Sequence, residues 1–80
     1  MNLSEAIKNR ILNYCKLKSI TVNKLSTISG VTQSTVNNIV SGRNRSTTIS
    51  TIKKLCDGLE ITLGEFFSTE EFDNLEQEIK

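Results

Sequence analysis

Residues 21–42 read TVNKLSTISGVTQSTVNNIVSG and hold two short helical patterns with almost no chain between them. The first covers Val22 to Ser29 and the second Gln33 to Val40, separated by Gly30 and Val31 and the residue that caps the second. Thr21 and Thr32 each stand one position ahead of a helix, where a hydroxyl can accept from an unpaired first-turn amide. Gly30 falls where the first helix must stop and the chain must turn, a place for the left-handed backbone that costs glycine little. Leu25 and Ile28, then Val36, Ile39 and Val40, supply apolar stripes that can close on one another. Counted from Val22, leucine is fourth, the small Ser26 fifth, glycine ninth, and Val31, Val36 and Ile39 are tenth, fifteenth and eighteenth. That spacing predicts a helix-turn-helix.

The second helix is more informative on its outer side. With Val36 inward, Ser34, Asn37, Asn38 and Ser41 fall opposite, flanked by Gln33 and Thr35. Every one is an amide or a hydroxyl. A solvated helix usually carries Glu and Lys, whereas Asn, Ser and Thr compete with the backbone and weaken the helix. Such a face suits duplex DNA, because amides pair bidentately with adenine, hydroxyls reach bases or phosphates, and carboxylates would be repelled.

The chain has 80 residues, enough for one domain close to the lower limit of a self-sufficient core. Hydrophobic content of 36%, no proline and four glycines predict an all-α domain. No apolar run is long enough for a membrane span and no signal-peptide core is present, so a cytoplasmic protein is expected. The net charge of +1 conceals a segregation. Residues 1–54 hold nine Lys or Arg against the single acid Glu5, while residues 55–80 hold eight acids against Lys80. A basic body carrying the motif and an acidic tail would keep carboxylates away from phosphate. Cys15 and Cys56 lie on apolar stripes and there is no histidine, which argues for buried thiols and against a metal site. A redox switch would require the two thiols to be adjacent or exposed. No cofactor is implied, and no acid pair, phosphate loop or nucleophile motif points to an enzyme.

Around the motif, Leu3 to about Lys18 reads as a first helix, with Asn2 and Glu5 as a capping box or Ser4 as an alternative cap. After Gly42 comes a loop presenting Arg43, Asn44 and Arg45, natural contacts for phosphate and groove. Thr48 caps a fourth helix whose inner stripe is Ile49, Ile52, Leu55, Cys56 and Leu59, with Gly58 weakening the last turn. Thr62 and Glu65 begin a short fifth helix in which Phe66 and Phe67 close the core. Ser68 with Glu71 caps a sixth, amphipathic helix with a seam of Phe72, Leu75 and Ile79. That seam either folds back on the first helix or pairs with a second copy; the dimer contact is the favoured expectation.

These residues resemble the lambda-repressor-like family, the phage Cro and repressor (XRE-type) class of helix-turn-helix. The resemblance covers residues 3–67 and is carried by TVNKLSTISGVTQSTVNNIVSGR and TISTIKKLCDGLEITLGEFF. It implies a compact five-helix DNA-binding domain over residues 1–67, here with an extra C-terminal amphipathic helix in residues 68–80. It also implies a bacterial or phage transcription regulator that binds operators as a homodimer. By the same resemblance Gln33, Ser34 and Asn38 would meet bases. Thr21, Asn23, Thr32, Arg43 and Arg45 would meet phosphates. The chain departs from the pattern at Ser26, where the family commonly has alanine, at Glu60, where it commonly has glycine, and before Thr48, where a proline is often found.

The function expected from both lines is sequence-specific binding of double-stranded DNA, with Gln33, Ser34, Thr35, Asn37 and Asn38 facing the major groove and operator repression as the outcome. The alternative is an antitoxin-like or anti-regulator module that grips a protein partner through its acidic C-terminal helix and binds DNA secondarily.

Overall fold

The structure is a computed structural model that describes residues 1–43 and 46–79. Among the described residues six helices follow in order: α1 Leu3–Leu17, α2 Val22–Ser29, α3 Gln33–Val40, α4 Ile49–Leu59, α5 Leu63–Phe67 and α6 Glu70–Asp73. Each starts at a polar cap whose side chain accepts the amide three residues on. The caps are Asn2, Thr21, Thr32, Thr48, Thr62 and Thr69, with distances from 2.9 Å at Asn2 to 3.4 Å at Thr69. At Thr62 the box is reciprocal, because a Glu65 carboxylate oxygen accepts from the Thr62 amide at 3.2 Å.

The helix ends follow a second rule. α1, α3 and α4 finish in the same double-bonded turn, in which Ser19, Gly42 and Glu60 adopt left-handed φ values of 55°, 80° and 60°. The next amide reaches back five residues: Ile20 to Cys15 O, Arg43 to Asn38 O and Ile61 to Cys56 O, at 3.0 to 3.1 Å. Glu60 therefore ends α4, at the position where the sequence lacks its expected glycine. The α1–α2 and α4–α5 corners repeat one local sequence, a buried Cys, a left-handed residue four later, then Ile and a Thr cap.

Gly58 has a different role from the one its helix position suggests. A Cβ at Gly58 would stand 2.9 Å from Ser29 Cβ, so the glycine permits α4 to lie directly on the end of α2. The fully enclosed core comprises Ile11, Leu25, Val36, Ile52, Leu55, Cys56, Leu59 and Phe66. Ser26 is buried in it, and its hydroxyl donates to Val31 O at 2.6 Å, bracing the turn of the motif. Arg10 fastens α5 to α1 by donating to Phe66 O at 2.8 Å and Glu65 O at 2.6 Å, its guanidinium 4.5 Å from the Tyr14 ring centroid.

Three expectations are corrected. Ile28 and Ile49 match the inward spacing but are 42% and 63% exposed, each in a terminal turn of its helix where the apolar stripe runs out at the edge of the core. The cap of α6 is Thr69 rather than Ser68. The sixth helix stops at Asp73 instead of reaching Ile79. Asn74 donates from both its amide and its side chain to Glu70 O, closing the turn. Acids at Glu70, Asp73 and Glu76 would also repel at three-residue spacing in a longer helix. The helical seam of Phe72, Leu75 and Ile79 is therefore not formed. Phe72 packs within its own chain, 4.9 Å from Phe67 and 5.9 Å from Phe66 between ring centroids. Leu75 is half-buried and Ile79 is 86% exposed.

Candidate nucleic-acid interface

α3 is eight residues long and would be unstable alone, so its position depends on its buried side. Val36 and Ile39 are enclosed, Val40 is half-buried, and α3 packs against both α1 and α2. This fixes the rotation of the helix and turns Gln33, Ser34 and Asn37 fully outward, with Thr35 and Asn38 half-buried at the edges. The side chains of Gln33, Ser34, Asn37 and Asn38 form no hydrogen bonds with other described residues. Thr35 differs. Thr32 Oγ1 donates to its hydroxyl at 2.9 Å while accepting its amide at 3.2 Å, so Thr35 is partly engaged in the cap.

The ends of the helices supply electrostatic direction. α1, α5 and α6 each carry acids in the first turn, the usual complement to the positive end of a helix dipole. α2, α3 and α4 carry none. The first turns of the two motif helices thus carry no carboxylate of their own, and Thr21, Asn23 and Thr32 are exposed there. Lys24, exposed in the first turn of α2, adds a cation that the sequence reading did not select.

At the far end of α3, Arg43 is exposed, and its Nε donates to Ser41 Oγ at 3.1 Å. Ser41 Oγ in turn donates to Asn38 O at 3.2 Å. Ser41 thus ties the arginine to the last turn of the helix. Only the outward placement of Ser41 could be read from spacing; its bond to Arg43 depends on the left-handed turn at Gly42. Asn44 and Arg45, expected to complete the basic loop, lie outside the described residues.

Cys15 and Cys56 are both buried, and burial pushes both thiols above their ordinary pKa. At Cys56 the Lys53 ammonium opposes that rise, while Asp57 and Glu65 add to it. Neither thiol has the exposed setting of a reactive cysteine, and at Cys56 burial outweighs the Lys53 ammonium. No described helix is long and apolar enough to cross a membrane.

The sequence profile described as Cro/C1-type HTH DNA-binding domain matches residues 10–71. A solved structure, the crystal structure of prophage Lp1 protein 11, is similar with a TM-score of 0.82 and 30% sequence identity, covering 94% of this chain and 100% of that one. Among curated proteins none matches significantly.

Proposed function

Since the chain belongs to the Cro/C1-type helix-turn-helix family of DNA-binding transcription regulators, we propose that it is an operator-binding repressor that reads the major groove with Gln33, Ser34, Thr35, Asn37 and Asn38. The observation that carries this reading is the outward face of α3, where the side chains of Gln33, Ser34, Asn37 and Asn38 are unengaged while the first turns of α2 and α3 bear no acid. Gln33 and Asn38 have the groups to pair with adenine, and Ser34 can reach either base type. Thr21, Asn23 and Thr32 at the helix starts, with Arg43 and Arg45 after α3, hold the phosphates and set register, and Asn44 reaches toward the groove.

A two-fold pair of chains would place two recognition helices about 34 Å apart and select half-sites one helical turn apart. The partner-binding alternative calls for an acidic C-terminal helix, and the helix in that region ends at Asp73.

Enrichment of random duplex DNA by the folded protein at about 0.15 M salt, where weak phosphate binding is screened, tests the proposal. Recovery of a two-fold-symmetric sequence is the expected result; absence of enrichment overturns the operator-reading role. On the recovered site, Gln33→Ala should cost about 1 to 3 kcal/mol and relax preference at one position. Equal losses on operator and random DNA would remove Gln33 from the base-reading set.

A further inference from the structure

α3 opens on two hydroxyls held in a fixed order. Thr32 Oγ1 accepts the Thr35 amide at 3.2 Å and donates its own proton to Thr35 Oγ1 at 2.9 Å. Accepting an amide at a helix start makes the Thr32 O–H the stronger donor of the two, because linked hydrogen bonds polarise one another. Thr35 Oγ1 is thus engaged as an acceptor, and its own proton is left over. A helical threonine often gives this proton to the carbonyl four residues back, as Thr27 does to Asn23 O at 3.2 Å. For Thr35 that carbonyl is Val31 O, to which the buried Ser26 hydroxyl already donates at 2.6 Å. The Thr35 proton has no acceptor among the described residues. Thr35 stands half-buried at the edge of the outward face of α3, three residues from Asn38 and so on the same side of the helix.

In the major groove a hydroxyl proton needs an acceptor on a base edge: purine N7, guanine O6 or thymine O4. Cytosine offers only its N4 amino donor there. We infer that Thr35 is a one-way donor to the base edge and that Thr32 is the positioning residue that sets this direction. The pair selects an acceptor-bearing base and disfavours cytosine at one position of the site. Thr32 then has no hydroxyl proton to give a phosphate, so its phosphate contact passes to its main-chain amide, which has no acceptor among the described residues. Thr21 differs, because its oxygen accepts the Lys24 amide at 3.0 Å while its proton has no acceptor among the described residues and stays available to phosphate. The same hydroxyl pair recurs at the start of α4, where Thr48 Oγ1 donates to Thr51 Oγ1 at 3.0 Å and accepts its amide at 3.1 Å, and supplies an internal control. The inference rests on the reading of α3 as the helix that meets the bases.

The test compares the sequences enriched from random duplex DNA, at about 0.15 M salt, by the wild-type chain and by Thr35→Val, Thr32→Asn, Thr32→Ser and Thr48→Asn. Circular dichroism verifies each fold. Asparagine caps a helix as well as threonine does, but its carbonyl oxygen only accepts, so it draws the Thr35 proton inward and leaves a lone pair facing the groove. Thr35→Val and Thr32→Asn should lose discrimination against cytosine at the same single position, by the factor of about 2 to 10 that one hydrogen bond supplies. Thr32→Ser and Thr48→Asn should keep it. Affinity of Thr32→Asn for a random-sequence duplex should stay within about 1.5-fold of wild type, because no charge changes. Cytosine as the wild-type preference at the position that Thr35→Val alters would overturn the inference, and this outcome needs no change at Thr32. So would a Thr32→Asn chain that keeps the preference Thr35→Val loses, or a Thr35→Val chain that changes no position. An equal loss in Thr48→Asn would show a general loosening of helix starts and would overturn it as well. Failure of the folded wild-type chain to enrich any sequence would instead defeat the base-reading role of α3, and this inference with it.

Discussion

Gly58 of α4 lies so close to Ser29 of α2 that a Cβ on the glycine would stand 2.9 Å from the Ser29 Cβ. In an exposed helix interior, Gly→Ala gains about 1 kcal/mol from helix propensity. Here the new methyl meets a backbone-anchored atom, and the Ser29 hydroxyl is already committed to Leu25 O at 2.6 Å. Gly58→Ala should therefore lose about 1 to 3 kcal/mol net, read as a lower denaturant midpoint. A gain in stability would show that α2 can move away from α4 at little cost.

Glu60 has the opposite prospect. Its φ of 60° places a side chain in the left-handed region, where a non-glycine residue costs roughly 1 to 2 kcal/mol. Glu60→Gly removes that cost and gives back part of it in unfolded-chain entropy, so stability should rise by about 0.5 to 1 kcal/mol. Thermal unfolding of the variant measures it, and Ser19→Gly provides an independent repeat at the end of α1.

Ser41→Ala isolates the support of Arg43. Its hydroxyl is exposed, so stability should change by no more than about 0.5 kcal/mol. DNA affinity should fall about 2- to 3-fold with the salt slope retained, since the arginine remains but is less restrained. Arg43→Ala should instead weaken all sequences alike and reduce the slope of log affinity against log salt by about 1. Identical salt slopes for Arg43→Ala and the wild type would take Arg43 out of phosphate contact.

The cysteines define an alkaline limit. Burial raises both thiols above the ordinary value of 9.0, so above that pH the unfolded chain loses protons that the folded chain keeps. Their contribution is intact below the unfolded-state pKa and declines as pH rises toward the folded-state values. Stability measured from pH 8 to 10.5 should fall, and Cys15→Ala/Cys56→Ala should flatten the decline. Iodoacetamide at pH 8 should label the native protein only as fast as it opens; rapid labelling of both thiols without unfolding would contradict their burial.

The starts of the first five helices were legible because short polar residues at Asn2, Thr21, Thr32, Thr48 and Thr62 perform a local task that needs no tertiary information. Helix ends were less so. Ser19 and Glu60 take up left-handed turns without the glycine that would announce them, since the packed Cys and Ile and the exposed Thr cap at each corner impose the conformation. The outward set on α3 followed from one inward residue, Val36, and the helical period. The Ser41–Arg43 bond and the course of the tail did not, because both depend on where separate elements meet. Apolar spacing at Phe72, Leu75 and Ile79 points to a longer sixth helix than the repulsion among the acids between them allows.

The weak intrinsic helicity of α3 has a thermodynamic consequence. Its outer residues do little to keep it wound, and its order comes from Val36 and Ile39 in the shared core. Folding and site occupancy are then one linked equilibrium: a cognate duplex at 100 times its dissociation constant would stabilise the native chain by about 2.7 kcal/mol. Conversely, heat or a core mutation that loosens the bundle would weaken the apparent affinity for a cognate duplex in proportion to the folded fraction lost. A small regulator built this way can act as its own thermometer.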